Sequence, residues 1–210
     1  CGLSDSGIRE VGQAAYGLLP VDSGEVSLPT HNVSIGNPYQ ALQNRVAYVP
    51  KDRDGEALMM GASIQNNFCL PSVETLKGRF GFLSPKKLYQ ASSKAREQFS
   101  VKSTGVDQLM RALSGGNKQK VNLGRWLIKD LDVLIVDCPT RGVDIGVKAY
   151  IYQCLREAKE KGMAILLITD ELSEVLGMAD TIAVMKDGEI CKLLPRSAEL
   201  SEETIIEVMT

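Results

Sequence analysis

The 210-residue sequence predicts an α/β fold with a buried, mostly parallel sheet and an inserted helical segment. Three observations carry that prediction. Val133–Asp137 (VLIVD) and Ala164–Thr169 (AILLIT) are unbroken apolar runs, the pattern of strands buried on both faces. A helix-spaced stretch lies between them, so the order reads strand–helix–strand. From about Pro71 to Ala112 apolar spacing turns helical, polar residues dominate and no buried strand appears.

The elements follow in order. The chain starts at Cys1, without a Met, and enters a glycine turn at once, so it reads as a piece of something longer. Val46–Val49 (VAYV) is a short strand rich in Val and Tyr. After the helical insert, Ser114-Gly115-Gly116 leads into a helix carried by Val121, Leu123 and Leu127. Residues 147–161 place Ile151, Cys154, Leu155 and Ala158 at helical spacing, and Gly162 caps the end. The tail alternates over 181–186 and 189–194 around Asp187-Gly188, a hairpin signal, because that dipeptide tolerates positive φ at both positions.

Composition narrows the function. A net charge of -2 gives no electrostatic footprint for nucleic acid. The longest unbroken apolar stretch, Met163–Ile168, is far too short to span a bilayer, so membrane association has to go through a partner. Cys1, Cys69, Cys138, Cys154 and Cys191 are scattered without a C-x-x-C pair, which suggests neither zinc nor a disulfide framework and fits a reducing cytoplasm. The single histidine, His31, lies in a polar loop and reads as solvent-exposed.

The chemistry sits in two runs. Leu113-Ser114-Gly115-Gly116-Asn117-Lys118-Gln119-Lys120 sets backbone N–H groups and a hydroxyl at a helix N-terminus, which suits a phosphate and equally fits a plain glycine turn. About twenty residues on, VLIVD ends in Asp137, a carboxylate suited to Mg²⁺ through water, and Pro139-Thr140-Arg141-Gly142-Val143-Asp144 follows directly.

Taken together and in this order, these runs resemble the ATP-binding-cassette family. LSGGNKQK resembles its signature motif, VLIVD its Walker B strand and RGVD its D-loop. GNKQK, PTRGVDIG and YVPKDR resemble the C-terminal cassette of the fused ATPases that drive ribose-, galactose- and xylose-type importers. The resemblance implies a P-loop NTPase (RecA-like) core over 1–70 and 113–210, with 71–112 as the helical signature subdomain and the N-terminal strands of the family missing. It also implies ATP and Mg²⁺ as cofactors. The implied partners are an N-terminal cassette of the same or a paired ATPase, transmembrane permease subunits and, indirectly, a sugar-binding protein. The implied location is the cytoplasmic face of a bacterial inner membrane.

The resemblance puts the phosphate loop at Gly2-Leu3-Ser4-Asp5-Ser6-Gly7-Ile8-Arg9, against a working pattern of G-x-x-x-x-G-K-[ST]. Gly2 and Gly7 stand, but the lysine position is Ile8, the Mg²⁺-ligating hydroxyl is Arg9, and Asp5 brings a negative charge. Losing both the lysine and the hydroxyl weakens nucleotide binding by roughly 10²–10⁴-fold. Arg9 partly replaces the missing cation if its guanidinium folds back towards phosphate. The catalytic Glu position is Cys138, the switch His position is Asp170, and the γ-phosphate-sensing Gln position is Lys51. A thiol is a poor general base, and losing a general base costs about 10²–10⁴ in rate.

The expectation is a cassette whose own site is degenerate and whose Leu113, Ser114, Gly115, Gly116 and Asn117, with Asp144 of the D-loop, complete the partner's ATP site. The alternatives are an active ATPase half, rescued by Arg9 and an unanticipated base, and a cassette-like regulatory module that binds no nucleotide. A non-transport cassette of the DNA-repair or translation kind is disfavoured by the charge. Residues 52–70 resemble the surface that receives the permease's coupling helix, with Met59, Met60, Ile64, Phe68 and Leu70 expected as an apolar groove or as ordinary core.

Overall fold

The computed structural model describes every residue except Ser4, Pro29, Thr30, Ala198, Glu199 and Thr210. The chain opens with α1 (Ile8–Ala15), the short strands β1 (Ser27–Leu28) and β2 (Val33–Ser34), α2 (Pro38–Gln43) and β3 (Val46–Val49). There follow α3 (Ile64–Cys69), α4 (Val73–Leu76), α5 (Pro85–Gln98) and α6 (Gly115–Leu127). The remainder is β4 (Val133–Asp137), α7 (Ile145–Glu160), β5 (Ala164–Ile168), α8 (Leu172–Met178), β6 (Thr181–Lys186), β7 (Glu189–Pro195) and α9 (Glu202–Met209). These bounds reproduce the expected strands and hairpin; α7 begins two residues earlier than its apolar spacing indicates, because Asp144 starts it, accepting at Oδ1 from the Val147 N–H.

The residues group into two compact units, one of Cys1–Tyr48, Asp132–Cys138 and Leu155–Thr210, the other of Val49–Leu131 and Pro139–Cys154. Residues 71–112 fall wholly inside the second.

In the first unit, among the described residues, the main sheet runs β3-β4-β5. β4 pairs with β5 in parallel, from Val133 opposite Ala164 to Asp137 opposite Ile168. Leu134, Ile135 and Val136 of β4 are buried, as an apolar run without alternation demands. α1 lies against this sheet with Ile8 in a cluster of Tyr16, Val46, Tyr48, Ile135, Ile168 and Met185. Gly12 permits that approach, since a Cβ there would stand 2.2 Å from Ile168 Cδ1. A second cluster joins Val175 of α8, Ile182 and Val184 of β6, and Ile205 and Met209 of α9. β6 and β7 pair antiparallel across Asp187 (φ 51°) and Gly188 (φ 83°), the two left-handed residues of a type I′ hairpin turn.

β5 departs from expectation. Its residues alternate between exposed and half-buried up to Ile168, and Leu166 is 38% exposed. Among the described residues β5 ends its sheet, and its outer side opens on a groove of about 880 Å³ that also touches Val11, Leu155, Ala183 and Met185. An apolar run states a preference for burial; only the neighbours decide whether both faces obtain it. His31 is exposed, as expected, and also finds a partner: its Nε2 meets Asp132 Oδ2 at 2.5 Å, and Arg45 holds the other oxygen of that carboxylate at 3.0 Å.

In the second unit α3, α5 and α6 enclose Ile64, Phe68, Ala95, Phe99, Met110 and Val121. The Phe68 and Phe99 rings stack at 6.4 Å, and Gly124 of α6 makes room, because a Cβ there would lie 2.6 Å from the Phe99 ring. Buried Asn67 ties the chain at Met59, accepting from its N–H and donating to its carbonyl. Ile64 and Phe68 are therefore core rather than groove, and of the expected groove residues Met59 and Leu70 stand exposed. Among the described residues no helix is long and apolar enough to cross a membrane.

Candidate functional site

In the first unit Gly2 and Gly7 stand ahead of α1, with Gly7 at its N-terminus. Gly2 bridges to Met185 of β6 in parallel, and a Cβ there would meet the Met185 carbonyl at 2.6 Å. Gly7 has φ 87°, a backbone that any larger residue would strain. Both framing glycines thus have a backbone reason to be glycine. Buried Ser6 donates its hydroxyl to the Leu3 carbonyl at 2.7 Å, and Asp5 is exposed. Ser4 lies outside the described residues.

Ile8, which the sequence resemblance sets at the lysine position, is 6% exposed and packs into the sheet core. Arg9 turns to the end of β4, with Nε 3.4 Å from Asp137 Oδ2. The Tyr48 hydroxyl reaches the same oxygen at 3.3 Å. Burial, and then the charge of Asp137, push the Tyr48 hydroxyl well above its ordinary value, so it stays protonated and donates. Tyr48 was not singled out by the sequence; its signal is a polar-tipped residue inside an otherwise apolar strand next to the one ending in Asp137.

Cys138 follows β4 with φ 46°, an uncommon conformation for a non-glycine residue, and its N–H donates to the Ile168 carbonyl at 2.8 Å. Its Sγ lies 3.9 Å from Asp170 Oδ1. The fold brings together the positions that the sequence aligned with a catalytic Glu and a switch His, as a buried thiol and an exposed carboxylate. Thr169, between them, donates to Glu174 Oε2 at 2.6 Å and fixes the turn into α8.

In the second unit Ser114 is the exposed residue before α6, extended at φ -64° and ψ 156°. Asn117 bonds to its hydroxyl at 2.9 Å through Nδ2 and accepts from the Lys102 N–H at 2.8 Å through Oδ1. Arg53 donates to the Gly115 carbonyl at 3.2 Å, and Lys118 pairs with Asp54 at 2.9 Å. Leu113 is buried and anchors the run. Gly116 faces α7, where a Cβ would meet Val147 Cγ2 at 2.7 Å, while Gly115 has nothing closer than 3.5 Å. Asp144 is exposed beside that contact, and Gln119 donates to the Pro139 carbonyl at 2.6 Å, joining α6 to the loop after β4. Arg53, Asp54 and Lys102 escaped the sequence reading because their partners lie far along the chain. Lys51 is half-buried in this same unit.

The fold is that of the ATP-binding cassettes. A nucleotide-free cassette from an ABC transporter aligns with a TM-score of 0.80 at 22% identity, over 100% of this chain and 85% of that one. The cassette MJ0796, in a dimeric post-hydrolysis state bound to ADP and Pi, aligns with 0.80 at 19% identity, over 94% and 84%. In sequence the chain is 37% identical over 209 residues to the ribose import ATP-binding protein RbsA of Lactococcus lactis, covering 100% of this chain and 42% of that one. It is 38% identical over 211 residues to a putative ribose/galactose/methyl galactoside import ATP-binding protein of Agrobacterium fabrum, again covering 100% and 42%. The chain thus spans about two-fifths of the length of these relatives. The ABC transporter family matches residues 11–141, a stretch that starts just past the loop at 2–9 and holds residues 113–120, Asp137 and Arg141. With more than half of its length matched and a cassette fold throughout, this chain belongs to the ABC transporter family.

Proposed function

We propose that this chain is a cassette of a sugar-import ATPase that completes a partner cassette's ATP site with its signature run, while its own phosphate loop is catalytically silent. The observation that carries the reading is the contrast in side chains. Ser114 is exposed at the head of α6, whereas Ile8 lies in the core and the positions that the sequence resemblance aligns with a catalytic Glu and a switch His hold Cys138 and Asp170. The likeness to ribose and galactose import ATP-binding proteins over the whole chain supports the transport class. In this reading 71–112 is the helical subdomain next to the signature run, and Ser114, Gly115 and Gly116 close on the γ-phosphate of an ATP held by the partner, with Asp144 beside them. The partners are that second cassette and the permease subunits, with a sugar-binding protein engaged indirectly, at the cytoplasmic face of a bacterial inner membrane. Met59 and Leu70, both exposed, are the residues of 52–70 available to the permease.

The test is ATP turnover by the purified chain, alone and with its partner cassette. The chain alone is expected to hydrolyse no ATP above background and the pair to do so. Turnover by the chain alone, abolished by Cys138→Ala or Asp170→Ala, would make it an active half instead.

A further inference from the structure

The substitution of Arg9 for a hydroxyl residue is more than a loss. We propose that Arg9 is the resident cation of this half-site, standing where a divalent ion would neutralise Asp137, so that the site's response to ATP is independent of magnesium. This rests on the alignment of 2–9 as the phosphate loop and deepens the reading of a silent site.

The Asp137 side chain is 1% exposed, and a carboxylate so buried needs a compensating charge and hydrogen bonds. Arg9 supplies the charge, with Nε 3.4 Å from Oδ2, and the Tyr48 hydroxyl supplies a hydrogen bond to that oxygen at 3.3 Å. Mg²⁺ demands a near-octahedral oxygen shell at about 2.0–2.1 Å. Held at Asp137, directly or through water, it would share this corner with a guanidinium of the same sign of charge. Among its described residues the loop offers little in exchange. The hydroxyl ligand is absent at position 9, the Ser6 hydroxyl is given to the Leu3 carbonyl, and the Ile8 side chain lies in the core. These residues do not fit the ion. Arginine keeps its proton at any pH a folded protein survives, so the internal cation is permanent where a metal would come and go with nucleotide.

The experiment is thermal unfolding of the full chain in ATP with excess Mg²⁺ and in ATP with EDTA, for the natural sequence and three variants. The natural chain is expected to melt within about 1 °C in the two conditions. Arg9→Ser should melt roughly 4–10 °C lower, since it strands the buried Asp137 charge, and should gain a magnesium-dependent rise. Arg9→Ser with Asp137→Asn, which removes both charges, should recover most of the loss and lose the magnesium response. This double variant also decides the matter should Arg9→Ser alone fail to fold. Two results would overturn the proposal: a natural chain stabilised by Mg²⁺ through an effect that Asp137→Asn removes, or an Arg9→Ser variant as stable as the natural chain and equally indifferent to magnesium. ATP turnover, read separately, reports on the silent-site reading and leaves this melting pattern untouched.

Discussion

Gly2 and Gly7 stand ahead of α1, whereas Gly115 and Gly116 are the first two residues of α6, and the side chains around the two pairs have taken different partners. In the first, Ser6 bonds to its own loop, Ile8 joins the sheet core and Arg9 pairs with Asp137, so each takes part in holding the unit together. In the second, Leu113 anchors the run from beneath and Arg53 and Lys118 brace it through Gly115 and Asp54, leaving Ser114 at the surface. Among the described residues, Ser6, Ile8 and Arg9 are therefore engaged within their own unit, whereas Ser114 stands exposed at the head of α6. A loop's shape is set by where glycines stand, and its chemistry by which neighbours its side chains have taken as partners.

The strongest way to break this contrast is through turnover. On the proposed reading, Ser114→Arg in the assembled transporter should lower ATP hydrolysis by about 10²-fold or more, because it would fill the space over a partner's γ-phosphate and remove a donor. Turnover within threefold of the natural protein would remove the signature run from the chemistry.

Stability sharpens the other side. Ile8→Ala should cost about 2–5 kcal/mol in urea unfolding, the range for a truncated core side chain. A change below about 0.5 kcal/mol would mean that Ile8 faces solvent as a phosphate-side residue does. The glycines of the signature run divide in a smaller experiment. Gly116→Ala, whose Cβ would press on Val147 Cγ2, should cost about 1–2 kcal/mol, whereas Gly115→Ala should be neutral or stabilising by a few tenths through helix propensity.

The smallest effects are in pH. Tyr48 is raised in the folded state, so its contribution is complete below the unfolded value near 10 and is lost as pH climbs through the folded one. Asp54 of the second unit is lowered: burial pulls it up, but the hydrogen bonds from Lys118 and Arg53 outweigh that. Its contribution is therefore present above the unfolded value near 4 and is lost as pH falls through the folded one. Tyr48→Phe should flatten only the alkaline limb of the stability profile, and Asp54→Asn only the acid limb. Either variant acting on the opposite limb would contradict the pairings described.

The sequence by itself determined the α/β class, the strands at 46–49 and 133–137, the hairpin around Asp187-Gly188 and the order of motifs that marks the family. These are legible because they rest on local patterns: apolar runs, turn dipeptides and glycines ahead of a helix. Tertiary structure alone decided that β5 keeps one apolar face half open, that Ile64 and Phe68 are core, that His31 meets Asp132, and that Arg9 and Tyr48 converge on Asp137. Each of these depends on residues tens of positions apart in the chain. Hydrophobicity and charge state what a side chain needs; which partner satisfies it is fixed only when the strands and helices pack.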